Sequence, residues 1–253
     1  MTRDPTSHKG ENGKVMIIGG SRFIHGAPIF SALAAEAGGA DLIYLVVPAC
    51  HEETAKNASL NFQVYPFKDN EIQKFDLRNI LAVLATMDSA VIGPGLDRSL
   101  EGQKIIRELI ESCPCTMVLD ASALQPWTLD AVKGKTAVLT PHLGELERMG
   151  VASESLQKAA EKFGCVLLRK GVIDRVAAPD GRLEEITGGN AWLTVGGTGD
   201  ALAGLTAGLI AQNMDPFDAC VLASRTMKRA GTVLRSHYRT VDVARIIPEL
   251  LKN

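Results

Sequence analysis

Gly196-Gly197-Thr198-Gly199-Asp200 runs directly into Ala201-Leu202-Ala203-Gly204-Leu205-Thr206-Ala207-Gly208-Leu209-Ile210. Three glycines, a threonine and an acid thus open an apolar helix. Such a loop turns several backbone N–H groups toward one point, and the helix N-terminus adds a partial positive charge. The pattern predicts an anion site. A carboxylate there is a poor phosphate ligand, because like charges repel, but a well-placed proton acceptor beside a phosphate. The expectation is a base, Asp200, aimed at a hydroxyl, next to a cradle for phosphoryl oxygens built from Gly197, Thr198 and Gly199. The Gly-Lys-Ser/Thr of a P-loop is absent, so the cradle is of another kind.

Other motifs follow apolar runs and carry less on their own. Gly93-Pro94-Gly95 either lets a flat ligand approach the backbone or makes a tight turn. Thr140-Pro141-His142-Leu143-Gly144-Glu145 reads as a helix start, with Thr140 as cap and Pro141 at the first helical position. His142 stands at that strand-to-helix switch, where its ring could face a ligand. It and Glu145 are three apart on a helix, which alone is a weak metal pattern, and no metal site is expected. Arg169-Lys170-Gly171 either sets an ammonium against a phosphate or forms a surface hairpin. Gly19-Gly20-Ser21 lacks the G-x-G-x-x-G spacing, which argues against a dinucleotide hydride site.

The elements needed to position these groups are legible. Short apolar runs at Val15–Ile18, Leu42–Val47, Ser89–Ile92, Thr116–Leu119 and Thr136–Leu139 alternate with helical stretches at Gly26–Ala37, Asp76–Ala85 and Leu100–Glu111. Apolar runs of this kind suit strands buried on both faces of a mostly parallel sheet. Cys165–Leu168, Ile173–Ala178 and Leu183–Ile186 lie close together, with a Pro179-Asp180-Gly181 turn, and read as an antiparallel meander. Helices at Gly199–Gln212, Pro216–Ser236 and Val241–Leu251 finish the chain, the last capped by Thr240. The expected architecture is one α/β domain over residues 1–253 with helices on both faces, residues 1–12 being a flexible lead. Open parallel sheets bind ligands at the carboxyl ends of their strands. Gly19-Gly20-Ser21, Gly93-Pro94-Gly95, Asp120, Thr140-Pro141-His142 and Lys170-Gly171 should therefore gather on one edge with the glycine loop.

Composition narrows the classes. The chain has 253 residues, 46% hydrophobic and 22% charged, with a formal net charge of −2. That is ordinary globular composition, with no basic excess for nucleic acid or a membrane surface. Five cysteines at irregular spacing suit core thiols in a reducing cytosol, and Cys113-Pro114-Cys115 lacks common zinc spacing. The polar lead has no apolar signal segment, which sets a cytoplasmic expectation.

Taken in order, the motifs resemble one family. His8-Lys9-Gly10, Gly19-Gly20-Ser21, Gly26-Ala27-Pro28, Gly93-Pro94-Gly95-Leu96, Leu119-Asp120-Ala121-Ser122-Ala123-Leu124, Thr140-Pro141-His142, Lys170-Gly171, Pro179-Asp180-Gly181 and Gly196-Gly197-Thr198-Gly199-Asp200 stand in the order and spacing of the NAD(P)H-hydrate dehydratases. That family is ribokinase-like. The resemblance implies an enzyme that removes water added at C6 of a nicotinamide ring, at the expense of ADP or ATP, with Mg²⁺ assisting. It implies that Ala27, Gly95, His142 and Asp200 contact the hydrate. It also implies that Lys170, Gly171, Val172, Ile173 and Asp174, with Gly199, contact the nucleotide. Homo-oligomers, tetramers among them, are implied too.

Two other readings fit the same loop. A ribokinase-like kinase of a small alcohol or vitamin precursor would use the same cradle and base. A non-catalytic nucleotide-binding protein is suggested by two departures from the family pattern, Ser122 and Asp174. A carboxylate at Asp174 would repel a nucleotide phosphate unless it points away or meets a cation.

Overall fold

A computed structural model describes residues 3–252. Its elements, in chain order, are β1 (Lys14–Ile18), α1 (Gly26–Ala37), β2 (Leu42–Pro48), α2 (Glu52–Ala58), β3 (Phe62–Phe67), α3 (Leu77–Leu84), β4 (Ser89–Ile92), α4 (Leu100–Ser112), β5 (Thr116–Leu119), α5 (Thr128–Ala131), β6 (Ala137–Leu139), α6 (Leu143–Arg148), α7 (Leu156–Phe163), β7 (Val166–Arg169), β8 (Asp174–Ala177), β9 (Leu183–Ile186), α8 (Thr198–Ala211), α9 (Pro216–Leu234) and α10 (Thr240–Leu250). Among the described residues one nine-stranded sheet runs β3-β2-β1-β4-β5-β6-β7-β8-β9. The pairings from β3 to β7 are all parallel, and β7-β8-β9 is the antiparallel meander.

Alternation along the strands divides the core in two. Val15 and Ile17 of β1 pack with α1, α8, α9 and α10 on one face. Met16 and Ile18 pack with α3, α4 and their neighbours on the other. Strands apolar on both sides are what a sheet covered twice requires. Chain order reverses between β1 and β4, so the strand ends there diverge and leave a crevice, the usual ligand position in such sheets.

α8 is the central helix. Every residue from Ala201 to Ala211 is buried, so it is apolar all round rather than striped. Close approach to α1 makes this possible. A side chain on Gly204 would run into the backbone of Ser31, and the Ser31 hydroxyl donates to the Asp200 carbonyl at 2.8 Å. The two helices are thereby fixed at their first turns.

Several sequence expectations shift. β3 is an additional strand: Phe62-Gln63-Val64-Tyr65-Pro66-Phe67 contains a proline, and it lies at the sheet edge, where a missing N–H is tolerated. α2 and α7 are further elements that the sequence pattern does not announce. Thr140 does not cap a helix and Pro141 is not its first residue. Both continue the line of β6, with the Lys170 amide donating to the Pro141 carbonyl at 2.8 Å, and His142 is the cap. Thr240 is the first residue of α10 rather than its cap, which is Arg239. Of the cysteines expected in the core, Cys113, Cys165 and Cys220 are buried, Cys115 is half-buried, and Cys50 is exposed. In the leading segment the Gly10 and Asn12 amides donate to Asp41 at 2.9 and 3.1 Å; Met1 and Thr2 lie outside the described residues.

Candidate active site

The carboxyl ends of β5, β6 and β7 bring four ionisable side chains together. Asp120 follows β5, His142 and Glu145 surround the start of α6, and Lys170 follows β7. The Lys170 ammonium lies 2.6 Å from Asp120 Oδ1 and 4.0 Å from Glu145 Oε2. The Thr140 hydroxyl donates to the same Asp120 oxygen at 2.9 Å. Glu145 closes a capping box: its carboxylate accepts from the His142 amide at 2.9 Å, and His142 Nδ1 accepts from the Glu145 amide at 3.2 Å. That box leaves the outer edge of the His142 ring toward solvent. Asp120 and Glu145 are almost wholly buried, at 2% and 3% exposure. Carboxylates at such depth require partners, and these have them.

α8 enters this cluster end-on. Gly197 adopts φ +97°, and a side chain there would collide with the ring of Phe30, so the loop is open to glycine alone. Two hydroxyls fix the loop from outside. Thr240 donates to the Gly196 carbonyl at 2.7 Å, and Thr198 donates to the Leu193 carbonyl at 2.6 Å. The first intrahelical bond joins the Ala201 amide to the Gly197 carbonyl at 2.9 Å. No side chain caps the helix, so the Gly199 and Asp200 amides stand ahead of that bond as open donors. The Thr198 hydroxyl is turned inward, where it satisfies carbonyls of the preceding turn.

The Asp200 carboxylate differs from its neighbours. Among the described residues no hydrogen bond reaches it, whereas Asp120 and Glu145 are both engaged. Burial pushes its pKa up to about 7, and the charge on Asp120 and Glu145 acts in the same direction against the attraction of Lys170. The Lys170 pKa also moves up, which here favours the charged form. Burial disfavours its charge, but Asp120, Glu145 and Asp200 outweigh burial and hold the ammonium above the ordinary lysine range.

A cavity of about 700 Å³ opens beside this cluster. His142, Lys170, Gly171, Thr198 and Gly199 form its polar end, and Leu193, Leu202 and Met227 its apolar end. Gly199 allows the closest approach: a side chain there would stand 3.3 Å from the Lys170 ammonium. The turn from Lys170 to Asp174 forms one wall, with Val172 almost wholly exposed at its tip.

Asp174 does not face the cavity as a bare charge. Its Oδ1 accepts from the Gly171 amide at 2.8 Å and its Oδ2 from the Ser224 hydroxyl at 2.7 Å. The Lys228 ammonium lies 3.3 Å from it and donates to the Gly171 and Val172 carbonyls at 2.7 and 3.0 Å. The carboxylate therefore meets a cation and shapes the turn. Ser122 is likewise structural, its hydroxyl donating to the Leu96 carbonyl at 2.7 Å.

Ala27 and Gly95 lie outside that cavity, at the β1/β4 crevice. Gly95 packs against Ile24 and Gly20, and the Gly20 amide donates to the Pro94 carbonyl at 2.8 Å. Ala27 opens α1, whose next turn touches Asp200 through Ser31. Of the expected hydrate contacts, Ala27 and Gly95 thus lie at the crevice, whereas His142 lines the cavity together with the expected nucleotide contacts. Three participants carried no assigned role in the sequence. Asp120 stands at a strand end and Glu145 in the first turn of α6. Lys228 was not singled out, although it sits four residues after Ser224 on the inward stripe of α9.

Comparison with known proteins identifies the family and the fold. A family model described as NAD(P)H-hydrate dehydratase matches residues 15–252. An ADP-dependent (S)-NAD(P)H-hydrate dehydratase of Cenarchaeum symbiosum is 34% identical, over 99% of this chain and 92% of that protein. Among solved structures, a ribokinase-like superfamily protein of Enterococcus faecalis superposes with a TM-score of 0.86 at 25% identity, covering 99% of this chain and 90% of that one. An ADP/ATP-dependent NAD(P)H-hydrate dehydratase of Bacillus subtilis, co-crystallised with ATP/Mg²⁺, gives 0.83 at 23% identity, over 99% and 93%. On the strength of the family match and the full-length relative, the chain belongs to the NAD(P)H-hydrate dehydratase family.

Proposed function

We propose that this chain dehydrates the C6-hydrated forms of NADH and NADPH, using ADP or ATP as phosphoryl donor. The observation that carries the reading is Asp200: a carboxylate without a protein partner, with a pKa near 7, at an uncapped helix N-terminus between a crevice and a cavity.

The chemistry follows from those residues. Hydroxide is a poor leaving group and phosphate a good one. Asp200 takes the proton of the C6 hydroxyl as that oxygen attacks the terminal phosphorus of the nucleotide, and a base with a pKa near the working pH suits this task. The Gly199 and Asp200 amides and the helix dipole hold the transferring phosphoryl group, and Lys170 stands beside them. The lone pair of the ring nitrogen then expels phosphate from C6, and loss of a proton from C5 restores the C5–C6 double bond. Ala27, Gly95 and His142 position the hydrate, and the Lys170–Asp174 turn positions the nucleotide.

Mg²⁺ fits this site as a passenger on the phosphates. Among the described residues no cluster of three or more His, Cys, Asp or Glu side chains forms a cage. Magnesium commonly keeps its waters and uses one or two carboxylates with substrate phosphates, and Asp120, Glu145 and Asp200 are the carboxylates at hand. It would supply charge neutralisation on the phosphates. The homo-oligomeric state of the reading is supported by the family resemblance, and light scattering tests the assembly.

The deciding experiment supplies chemically hydrated NADH with ADP or with ATP and follows the near-ultraviolet absorbance of NADH. Recovery of absorbance with one phosphate released per turnover is expected. A stable phosphorylated alcohol in place of NADH would make the protein a small-alcohol kinase, and binding without turnover of either nucleotide would make it a non-catalytic binder.

A further inference from the structure

Cys113-Pro114-Cys115 joins α4 to β5 at the end of that strand opposite Asp120. In an extended segment, side chains two residues apart lie on one face. Proline fixes its own φ and drives the residue before it into an extended conformation; Cys113 accordingly has φ −65° and ψ 125°. The two thiols are presented side by side, Sγ to Sγ at 3.7 Å. Cys113 is buried and Cys115 is half-buried, so one sulfur is shielded and the other is reachable. Lys135 reaches the same corner and donates to the Cys113 carbonyl at 3.3 Å.

The remaining cysteines lack this arrangement. Cys165 and Cys220 are buried and without a thiol neighbour, and burial pushes Cys165 up to about 12 and Cys220 higher still. Cys50 is exposed and alone. In the pair, the hydrogen bond between the two thiols and burial push the Cys115 thiol well above the ordinary cysteine range, while the same bond holds Cys113 below that range against burial, with Lys135 adding to it. A thiolate of this kind is the reactive form.

We propose that Cys113 and Cys115 are a reversible redox dithiol whose co-reactant is a small-molecule disulfide such as glutathione disulfide. The accessible Cys115 passes its proton to the adjoining Cys113 thiolate as it attacks one sulfur of the disulfide, and Cys113 later releases that proton to solvent. The external S–S bond breaks, a mixed disulfide forms on Cys115, and one thiolate departs and is protonated. Cys113, as thiolate, then attacks the Cys115 sulfur and expels the second small thiol. Two protein thiols are oxidised to one disulfide and one external disulfide is reduced to two thiols.

The test uses the folded protein with Cys50→Ser, which removes the exposed competing thiol. It is equilibrated in glutathione buffers from fully reduced to fully oxidised, acid-quenched, alkylated and weighed intact. Two of the four remaining thiols (five cysteines in the chain, less Cys50) are expected to vanish together, with loss of two hydrogens and no added glutathione. Cys113→Ser in the same background is expected to trap one glutathione on Cys115. Persistence of all four thiols in the oxidised buffer overturns the proposal, as does a linkage that does not map to 113–115. Peptide mapping of the oxidised wild-type protein covers the case of a variant that fails to fold: a 113–115 linkage supports the pair, and its absence overturns it.

Discussion

Lys170 Nζ sits 2.6 Å from Asp120 Oδ1, and the two together set the electrostatic surroundings of Asp200. Ionised Asp120 raises the Asp200 pKa and Lys170 lowers it. Asp120→Asn removes the first influence and leaves the second in place. A carboxyl near 7 is half protonated there, so kcat/KM falls as pH drops below about 7, where the base carries its proton. In Asp120→Asn that acid limb should move to lower pH by about one unit, and in Lys170→Met it should move up. The pH profile of kcat/KM checks both; limbs unmoved in the two variants would mean that neither charge is felt at Asp200.

Asp200→Asn keeps the shape and removes the base. Turnover should fall by roughly 10²–10⁴, while nucleotide affinity measured by calorimetry stays within a few-fold. Stability should move the other way. The folded-state pKa of about 7 lies above the unfolded value of about 3.9. Between these values the folded state binds the extra proton, so the ionised carboxylate weakens the fold above pH 7 and this penalty fades as pH falls. Asp200→Asn should therefore raise stability at about pH 8, by about 1–3 kcal/mol, and leave it unchanged near pH 4. Denaturant melts at the two pH values decide it, and equal shifts at both would count against a buried, pKa-raised acid.

Lys228 and Asp174 are both buried, at 7% and 5% exposure. Breaking such a pair strands a charge, for about 3–5 kcal/mol. Asp174→Ala should lose stability on that scale, and Asp174→Ala with Lys228→Met should regain most of it. The double variant still lacks the bonds to the Gly171 and Val172 carbonyls. Its nucleotide KM should therefore rise roughly tenfold, from the loss of charge-assisted hydrogen bonds, with kcat changed less. A double variant as unstable as the single one would show that the two side chains do not act as a pair.

This pair also marks where the sequence stops being legible. Periodicity and strand-end motifs place β1, β4, β5 and α8 within a residue or so, because burial on both faces forces continuous apolar runs. Glycine patterning identifies the α8 entrance, because positive φ leaves no other choice. What periodicity does not carry is which buried polar group meets which. Asp174 reads as a liability next to a phosphate until Lys228, 54 positions away by number, is seen against it. Asp120 reads as an acid at the ligand edge with no named partner until Lys170 and Thr140 arrive from β7 and β6. Thr240 reads as a helix cap, whereas its hydroxyl crosses to the glycine loop. Each of these is a long-range hydrogen bond, fixed by the packing of elements rather than by spacing within one.

The glycine loop gives the last test. Gly197 holds φ +97° with Phe30 against it, and Thr240 ties the adjoining Gly196 carbonyl at 2.7 Å. Gly197→Ala combines an unfavourable backbone region with a collision, so the loop must shift and carry the Gly199 and Asp200 amides with it. Strain of this kind is of order 1–3 kcal/mol, and displaced phosphoryl donors should lower kcat by roughly 10²-fold or more. Thr240→Val keeps the volume and removes one hydroxyl donor to a carbonyl. Its stability cost should be near 1 kcal/mol, and its effect on kcat should be milder but in the same direction, because the loop loses a tether without a clash. Phe30→Ala in the Gly197→Ala background separates the two causes. Removing the ring opens space for the new methyl but leaves φ unfavourable, so kcat should recover in part if the collision displaces the loop, and not at all if backbone strain alone does. Steady-state kinetics on the four proteins, with thermal melts alongside, distinguishes these outcomes; full activity in Gly197→Ala would remove the loop amides from the phosphoryl site.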